Sequence, residues 1–125
     1  MHHKAPKFLN PTQIRFPIGA IASIGHRLSG IILIVCLPLL VNGLDRSLRS
    51  EAEFLILRDQ LAEPWLAVPL AILVWAAAHH IAAGIRHLLM DAGIGVTLPQ
   101  ARASARWVLA LGVICGALTL LGSLL

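Results

Sequence analysis

The chain has 125 residues, of which 58% are hydrophobic and only 13% carry a charge. Soluble domains have roughly 45–50% apolar and about 25% charged residues, so this composition excludes an ordinary soluble enzyme domain. It predicts an integral membrane protein with room for three spans of about 20 residues each. The net charge of +4 comes from basic residues that flank apolar segments, which favours a lipid bilayer and excludes nucleic acid as a partner.

Three apolar segments follow one another along the chain. The predicted elements are, in order, a basic lead (1–16), span one (about 18–44), a loop or surface helix (45–64), span two (about 65–90), a connector (91–106) and span three (about 107–125). Pro17 suits the first turn of a helix, and Trp65 lies where an interfacial aromatic residue is expected. We therefore predict an all-α, three-span membrane-anchor domain that forms half of a helical bundle.

The distribution of Lys and Arg predicts the orientation of the spans. Six of them lie in the lead and in or beside the second connector, whereas three lie in the first loop. The positive-inside rule therefore predicts a cytoplasmic N-terminus and a periplasmic C-terminus. Residues 1–15 contain no apolar stretch and few arginines, so we expect neither a secretory signal nor a mitochondrial presequence. This favours the inner membrane of a bacterium.

Span one carries an unusual group of polar residues in its first third. Ser23 and Arg27 are one helical turn apart and share a face, and His26 is adjacent to Arg27. A hydroxyl and a guanidinium in an apolar site can orient a quinone carbonyl or a carboxylate. The alternative is that Arg27 only extends its charged end to the lipid headgroups, but its depth in the span favours a binding role.

Span two contains the most informative segment of the chain. Ionisable side chains inside a bilayer are energetically costly and usually functional. His80, Gly84, His87 and Asp91 recur at i, i+4, i+7 and i+11, so they share one helix face. A histidine followed one turn later by glycine leaves room for a flat ligand such as a haem, and imidazole is a common ligand of haem iron. An interhelical hydrogen bond is the alternative role for His80.

The adjacent His79 lies about 100° away around the helix, so both imidazoles cannot bind one iron. We choose His80 as the axial ligand because it shares its face with His87. No other histidine lies in the middle of a span, which predicts that a partner chain supplies the second ligand. His87, Arg86 and Asp91 are candidates for propionate binding or proton relay, and extension of Arg86 toward the headgroups is an equally weighted alternative.

Two strings resemble signatures of the cytochrome b anchor subunit of succinate dehydrogenase, the large membrane anchor of bacterial complex II. The first is SIGHRLSG at residues 23–30, which fits the pattern S-x-x-H-R-x-S-G and follows IRFP at residues 14–17. The second is HIAAGIRHLLMD at residues 80–91. The separation of the two strings, the number of spans and the topology are also similar to the family, and the resemblance covers about residues 14–125.

The resemblance implies a second, smaller anchor subunit beside this chain, with a flavoprotein subunit and an iron–sulfur subunit at the cytoplasmic face. Electrons from succinate would pass through FAD and iron–sulfur clusters to ubiquinone, and this chain alone would have no activity. By motif position, His80 matches the axial ligand of a haem b shared with the partner anchor. Ser23 and Arg27 match quinone-binding residues, and Arg27, His26 and His87 match positions near the haem propionates.

The chain departs from the family pattern at two positions. His79 replaces a tyrosine before the ligand, and Gly25 replaces a larger apolar residue before His26. The first departure bears on the choice of ligand and the second on the shape of the quinone pocket. Two alternatives remain open at this point. One is the anchor of a quinol:fumarate reductase, and the other is a small oligomeric transporter or a structural membrane scaffold.

Overall fold

The computed structural model describes residues 15–123 and residue 125, and this part of the chain folds into a set of packed helices. The elements are α1 (Ile18–Arg49), α2 (Glu51–Leu61), a 3-10 turn (Pro64–Leu66), α3 (Ala67–Asp91) and α4 (Leu98–Gly122). Helix α1, the segment Pro64–Asp91 and helix α4 are each long and apolar enough to cross a membrane. The predicted all-α, three-span class is confirmed. Most of the lead predicted at 1–16 lies outside the described residues.

Two helices extend beyond the spans that the apolar runs predict. Helix α1 continues to Arg49 rather than ending near residue 44, and α4 begins at Leu98 rather than near residue 107. The added segments are polar but rich in good helix formers such as Ala, Arg and Leu. An apolar run therefore indicates the part of a helix inside the membrane, and the helix itself can be longer.

Helix α2 occupies the loop predicted at 45–64 and is a surface helix. The Ser50 hydroxyl accepts a hydrogen bond from the Glu53 backbone N–H at 3.2 Å, which caps its first turn. The Glu53 carboxylate in turn accepts two hydrogen bonds from the Arg46 guanidinium, each at 3.1 Å. This ion pair fastens α2 to the last turns of α1.

The turn between α3 and α4 is set by glycine. Gly93 has φ of 80°, a conformation that L side chains rarely adopt. The Ile94 N–H donates to the Leu89 carbonyl at 2.8 Å and the Gly93 N–H donates to the Met90 carbonyl at 3.0 Å. This is the Schellman pattern of hydrogen bonds, which ends α3 and turns the chain back into α4.

Small residues form the interior, and large apolar side chains cover the outside. Helix α3 contacts both α1 and α4, and α1 also contacts α4 directly. The buried apolar residues are Ala22, Ala67, Ala71, Ala76, Ala83, Ala105 and Val108. A Cβ on Gly112 or Gly116 would lie about 3 Å from side-chain or backbone atoms of α3, so this G-x-x-x-G pair lets the two backbones approach closely. The exposed Leu, Ile and Val side chains suit contact with lipid or with another membrane subunit.

Candidate functional site

Three of the histidines predicted as site residues lie together where α1 packs against α3. The rings of His26 and His80 are stacked, with centroids 4.3 Å apart and planes 28° from parallel. The ring of His87 is also close to that of His26, with centroids 5.2 Å apart. All three are partly buried. The site therefore combines one histidine from α1 with two from α3 that lie two turns apart.

The two ring nitrogens of His80 have different surroundings. Its Nδ1 lies 3.2 Å from the His26 carbonyl oxygen and 3.3 Å from the Ser29 hydroxyl. A carbonyl oxygen can only accept, so this contact assigns the proton of neutral His80 to Nδ1. The Ser29 hydroxyl is fully buried and donates to the same carbonyl at 2.8 Å. In this tautomer the lone pair of His80 lies on Nε2, where it can bind a metal.

His79 lies in the interior of the chain instead. Its side chain is 0% exposed and its Nε2 lies 3.3 Å from the Ala22 carbonyl oxygen. Its ring is stacked on Trp75, with centroids 5.6 Å apart. Its Nδ1 is buried and has no hydrogen-bond partner among the residues that the structure describes. Of the two adjacent histidines, His79 is therefore fully buried, whereas His80 is partly exposed.

Ser23 and Arg27 lie on one side of α1, as their spacing predicts. Ser23 is partly buried and Arg27 is exposed. Within residues 15–123, neither side chain makes a hydrogen bond to another described residue. The described residues leave the Arg27 guanidinium exposed, which suits contact with a ligand or with another subunit.

Gly84 of span two lies against the histidine cluster. The spacing of His80 and Gly84 predicts an open face for a flat ligand. In the structure, a Cβ on Gly84 would lie 3.7 Å from Nε2 of His26, so the His26 ring covers this glycine. No pattern within one helix predicts this contact, because it depends on how α1 is aligned along α3.

Arg86 contacts α4 rather than the histidines. Its side chain is 9% exposed, its Nε donates to the Ser104 hydroxyl at 3.0 Å and its Nη2 donates to the Ala101 carbonyl at 3.2 Å. This placement differs from both roles predicted for Arg86, which are propionate binding and extension toward the headgroups. Arg86 instead holds the first turns of α4 against α3, while Asp91 at the end of α3 is exposed.

Comparisons with known proteins agree with the two sequence signatures. Residues 1–119 match the family model described as the succinate dehydrogenase/fumarate reductase transmembrane subunit. The chain is 41% identical over 106 residues to the succinate dehydrogenase cytochrome b556 subunit of Coxiella burnetii, covering 84% of this chain and 85% of that protein. It is 34% identical over 108 residues to the subunit of the same name from Paracoccus denitrificans, covering 86% of this chain and 82% of that protein.

Proposed function

Because the chain belongs to the succinate dehydrogenase/fumarate reductase transmembrane subunit family, we propose that it supplies one axial haem ligand and part of a ubiquinone-reduction site in succinate:quinone oxidoreductase. The resemblance to the cytochrome b anchor subunit is confirmed. The chain is a multi-pass membrane protein, and the relatives named above are subunits of an enzyme complex.

The contact of His80 Nδ1 with the His26 carbonyl carries the haem proposal. Histidines that bind metals usually donate their other ring N–H to a carbonyl or carboxylate, which fixes the tautomer and raises the basicity of the ligating nitrogen. His80 has this arrangement at 3.2 Å, and the buried Ser29 hydroxyl supports it. The donor set therefore fits haem iron at Nε2. His79 does not fit, since its ring is enclosed and its Nε2 faces a carbonyl.

His80 provides one of the two imidazoles that a six-coordinate haem b requires, and we propose that the second comes from the smaller anchor subunit. When bound, the haem supplies one-electron redox chemistry at its iron. His26 is stacked on His80 and His87 lies beside His26, and both can donate hydrogen bonds to the propionates, together with the exposed guanidinium of Arg27. FAD and the iron–sulfur clusters belong to the flavoprotein and iron–sulfur subunits.

Ser23 and Arg27 are proposed as this chain's part of the quinone site. Reduction of ubiquinone to ubiquinol takes two electrons and two protons, and the quinone oxygens gain charge before they are protonated. A hydroxyl and a guanidinium on one side of α1 can donate hydrogen bonds to one quinone oxygen and stabilise that charge. The exposure of Arg27 suits a pocket that the iron–sulfur subunit and the second anchor complete.

A quinol:fumarate reductase anchor is the closest alternative, because the matched family covers both enzymes. The two differ in the physiological direction of catalysis and in the quinone used. Family membership argues against the alternative of a transporter or structural scaffold. The inner membrane of a bacterium, with the N-terminus in the cytoplasm, remains part of the proposal and depends on the count of basic residues.

Substitution of the α1 pair tests the quinone proposal. Ser23→Ala should cost about 0.5–1.5 kcal/mol of quinone binding and Arg27→Leu about 1.5–3 kcal/mol, since the second removes a charged donor. Both should slow quinone reduction by succinate while leaving succinate oxidation by an artificial acceptor unchanged. Ser47→Ala, which alters an exposed hydroxyl at the far end of α1, is the matched control. Normal quinone reduction in both variants, with normal assembly, would refute the site.

A further inference from the structure

The two adjacent histidines of α3 contact carbonyls one turn apart on α1. His79 Nε2 lies 3.3 Å from the Ala22 oxygen, and His80 Nδ1 lies 3.2 Å from the His26 oxygen. Residues i and i+4 of a helix are about 6 Å apart along its axis. Two hydrogen bonds at this separation fix both the rotation of α3 and its position along α1, whereas one bond would allow α3 to turn about it.

Each of these histidines lies over a glycine of α1. A Cβ on Gly25 would be 2.6 Å from His79 Nε2, a separation that real Cβ atoms do not show. A Cβ on Gly30 would be 3.1 Å from His80 Cε1. Gly25 of α1 and His79 of α3 are therefore in direct contact, and the absence of a side chain at position 25 makes room for the imidazole. The two residues form one packing arrangement.

The surroundings of His79 indicate that its position is set from three sides. Gly112 of α4 lies beneath its Cβ, where an added Cβ would be 3.0 Å away, and Trp75 is stacked on its ring. Its buried Nδ1 lacks a hydrogen-bond partner among the described residues, which is unfavourable for stability. If position 79 contributed only to stability, a side chain without an unpaired buried nitrogen would be better there.

We propose that His79 is a positioning residue, which by its hydrogen bond to Ala22 and its fit against Gly25 holds α3 so that His80 presents Nε2 to the haem iron. This inference rests on the proposed role of His80. His79 does not touch the iron. It affects the plane of the His80 ring indirectly: both residues are on one turn of α3, so a shift of that turn moves His80 relative to the His26 oxygen that its Nδ1 contacts.

Variants of the whole complex separate this role from simple packing. His79→Phe keeps a ring but loses the donor, whereas His79→Gln keeps an N–H that can reach the Ala22 oxygen. Both should retain haem. The electron paramagnetic resonance spectrum of the ferric haem reports the angle between the two axial imidazole planes. We expect its low-field g value to shift in His79→Phe and to return toward the parental value in His79→Gln. An unshifted His79→Phe spectrum, or equal shifts in both variants, would overturn the proposal.

The fit against Gly25 has a test that does not require haem. Gly25→Ala should lower the thermal unfolding midpoint of the complex in the parental background but not in a His79→Ala background, because the short contact is then removed. Gly43→Ala is the matched control, since a Cβ there meets only Leu57 Cδ2 at 3.9 Å. Equal effects of Gly25→Ala in the two backgrounds would overturn the packing arrangement. If the parental complex lacks haem but the two positions remain coupled, the ligand proposal fails and the arrangement stands.

Discussion

Ser29→Ala provides a sensitive test of the surroundings of His80. The Ser29 hydroxyl is fully buried, donates to the His26 carbonyl at 2.8 Å and lies 3.3 Å from His80 Nδ1. Residues that support a metal ligand typically contribute about 10–100-fold to metal affinity. The His26 carbonyl is part of the backbone and remains in the variant. We therefore expect the lower end, roughly a tenfold loss of haem affinity, which corresponds to about 1.4 kcal/mol.

The assay is the rate and extent of haem transfer from the purified complex to an excess of apomyoglobin. Ser47→Ala is the matched control, because its hydroxyl donates to the carbonyl three residues earlier in the same helix, as that of Ser29 does, but is exposed and far from the histidines. Ser29→Ala should lose haem faster than the parent, and Ser47→Ala should not. If the two variants release haem at the same rate as the parent, the hydrogen bonds at His80 Nδ1 do not support a ligand.

Three further predictions concern topology, helix packing and the histidine beside the site. Alkaline phosphatase fused after Leu125 should be active and a fluorescent protein fused there should be dark, since the C-terminus is expected in the periplasm; the opposite pattern refutes the orientation. Ser104→Ala removes the acceptor of Arg86 Nε and should lower stability by about 1.5–3 kcal/mol with little change in haem content, as measured by thermal unfolding and haem absorption. His87→Ala should retain haem but shift its midpoint potential, if His87 contacts a propionate; an unchanged potential counts against that contact.

The sequence predicts some parts of this architecture well because they depend on local chemistry. Apolar runs identify the three spans, since segments of that length and composition are typical of membrane-spanning helices. The i, i+7 spacing of His80 and His87 places them on one face of α3, because helical geometry alone decides it. The structure has both residues beside His26.

Other features depend on how the helices are aligned with one another, and residue spacing within one helix carries no information about that alignment. The stacking of His26 on His80 requires a particular position of α1 along α3, set by glycines that accept the rings. The contact of Arg86 with α4 also depends on this alignment. The direction of Arg86 around α3 can be predicted from the sequence, but the helix that lies on that side cannot. The apolar run does not predict that α4 begins at Leu98, because the first turns of this helix are polar.

The reduced-minus-oxidised absorption spectrum of the purified complex, measured in His80→Ala and His79→Ala, tests the central claim most directly. The two residues are adjacent on α3 and are changed to the same side chain, so each is the control for the other. Loss of an axial imidazole should remove or strongly alter the b-haem bands in His80→Ala, whereas His79→Ala should retain them. Retention of the bands in His80→Ala together with their loss in His79→Ala would contradict the assignment of His80 as the haem ligand.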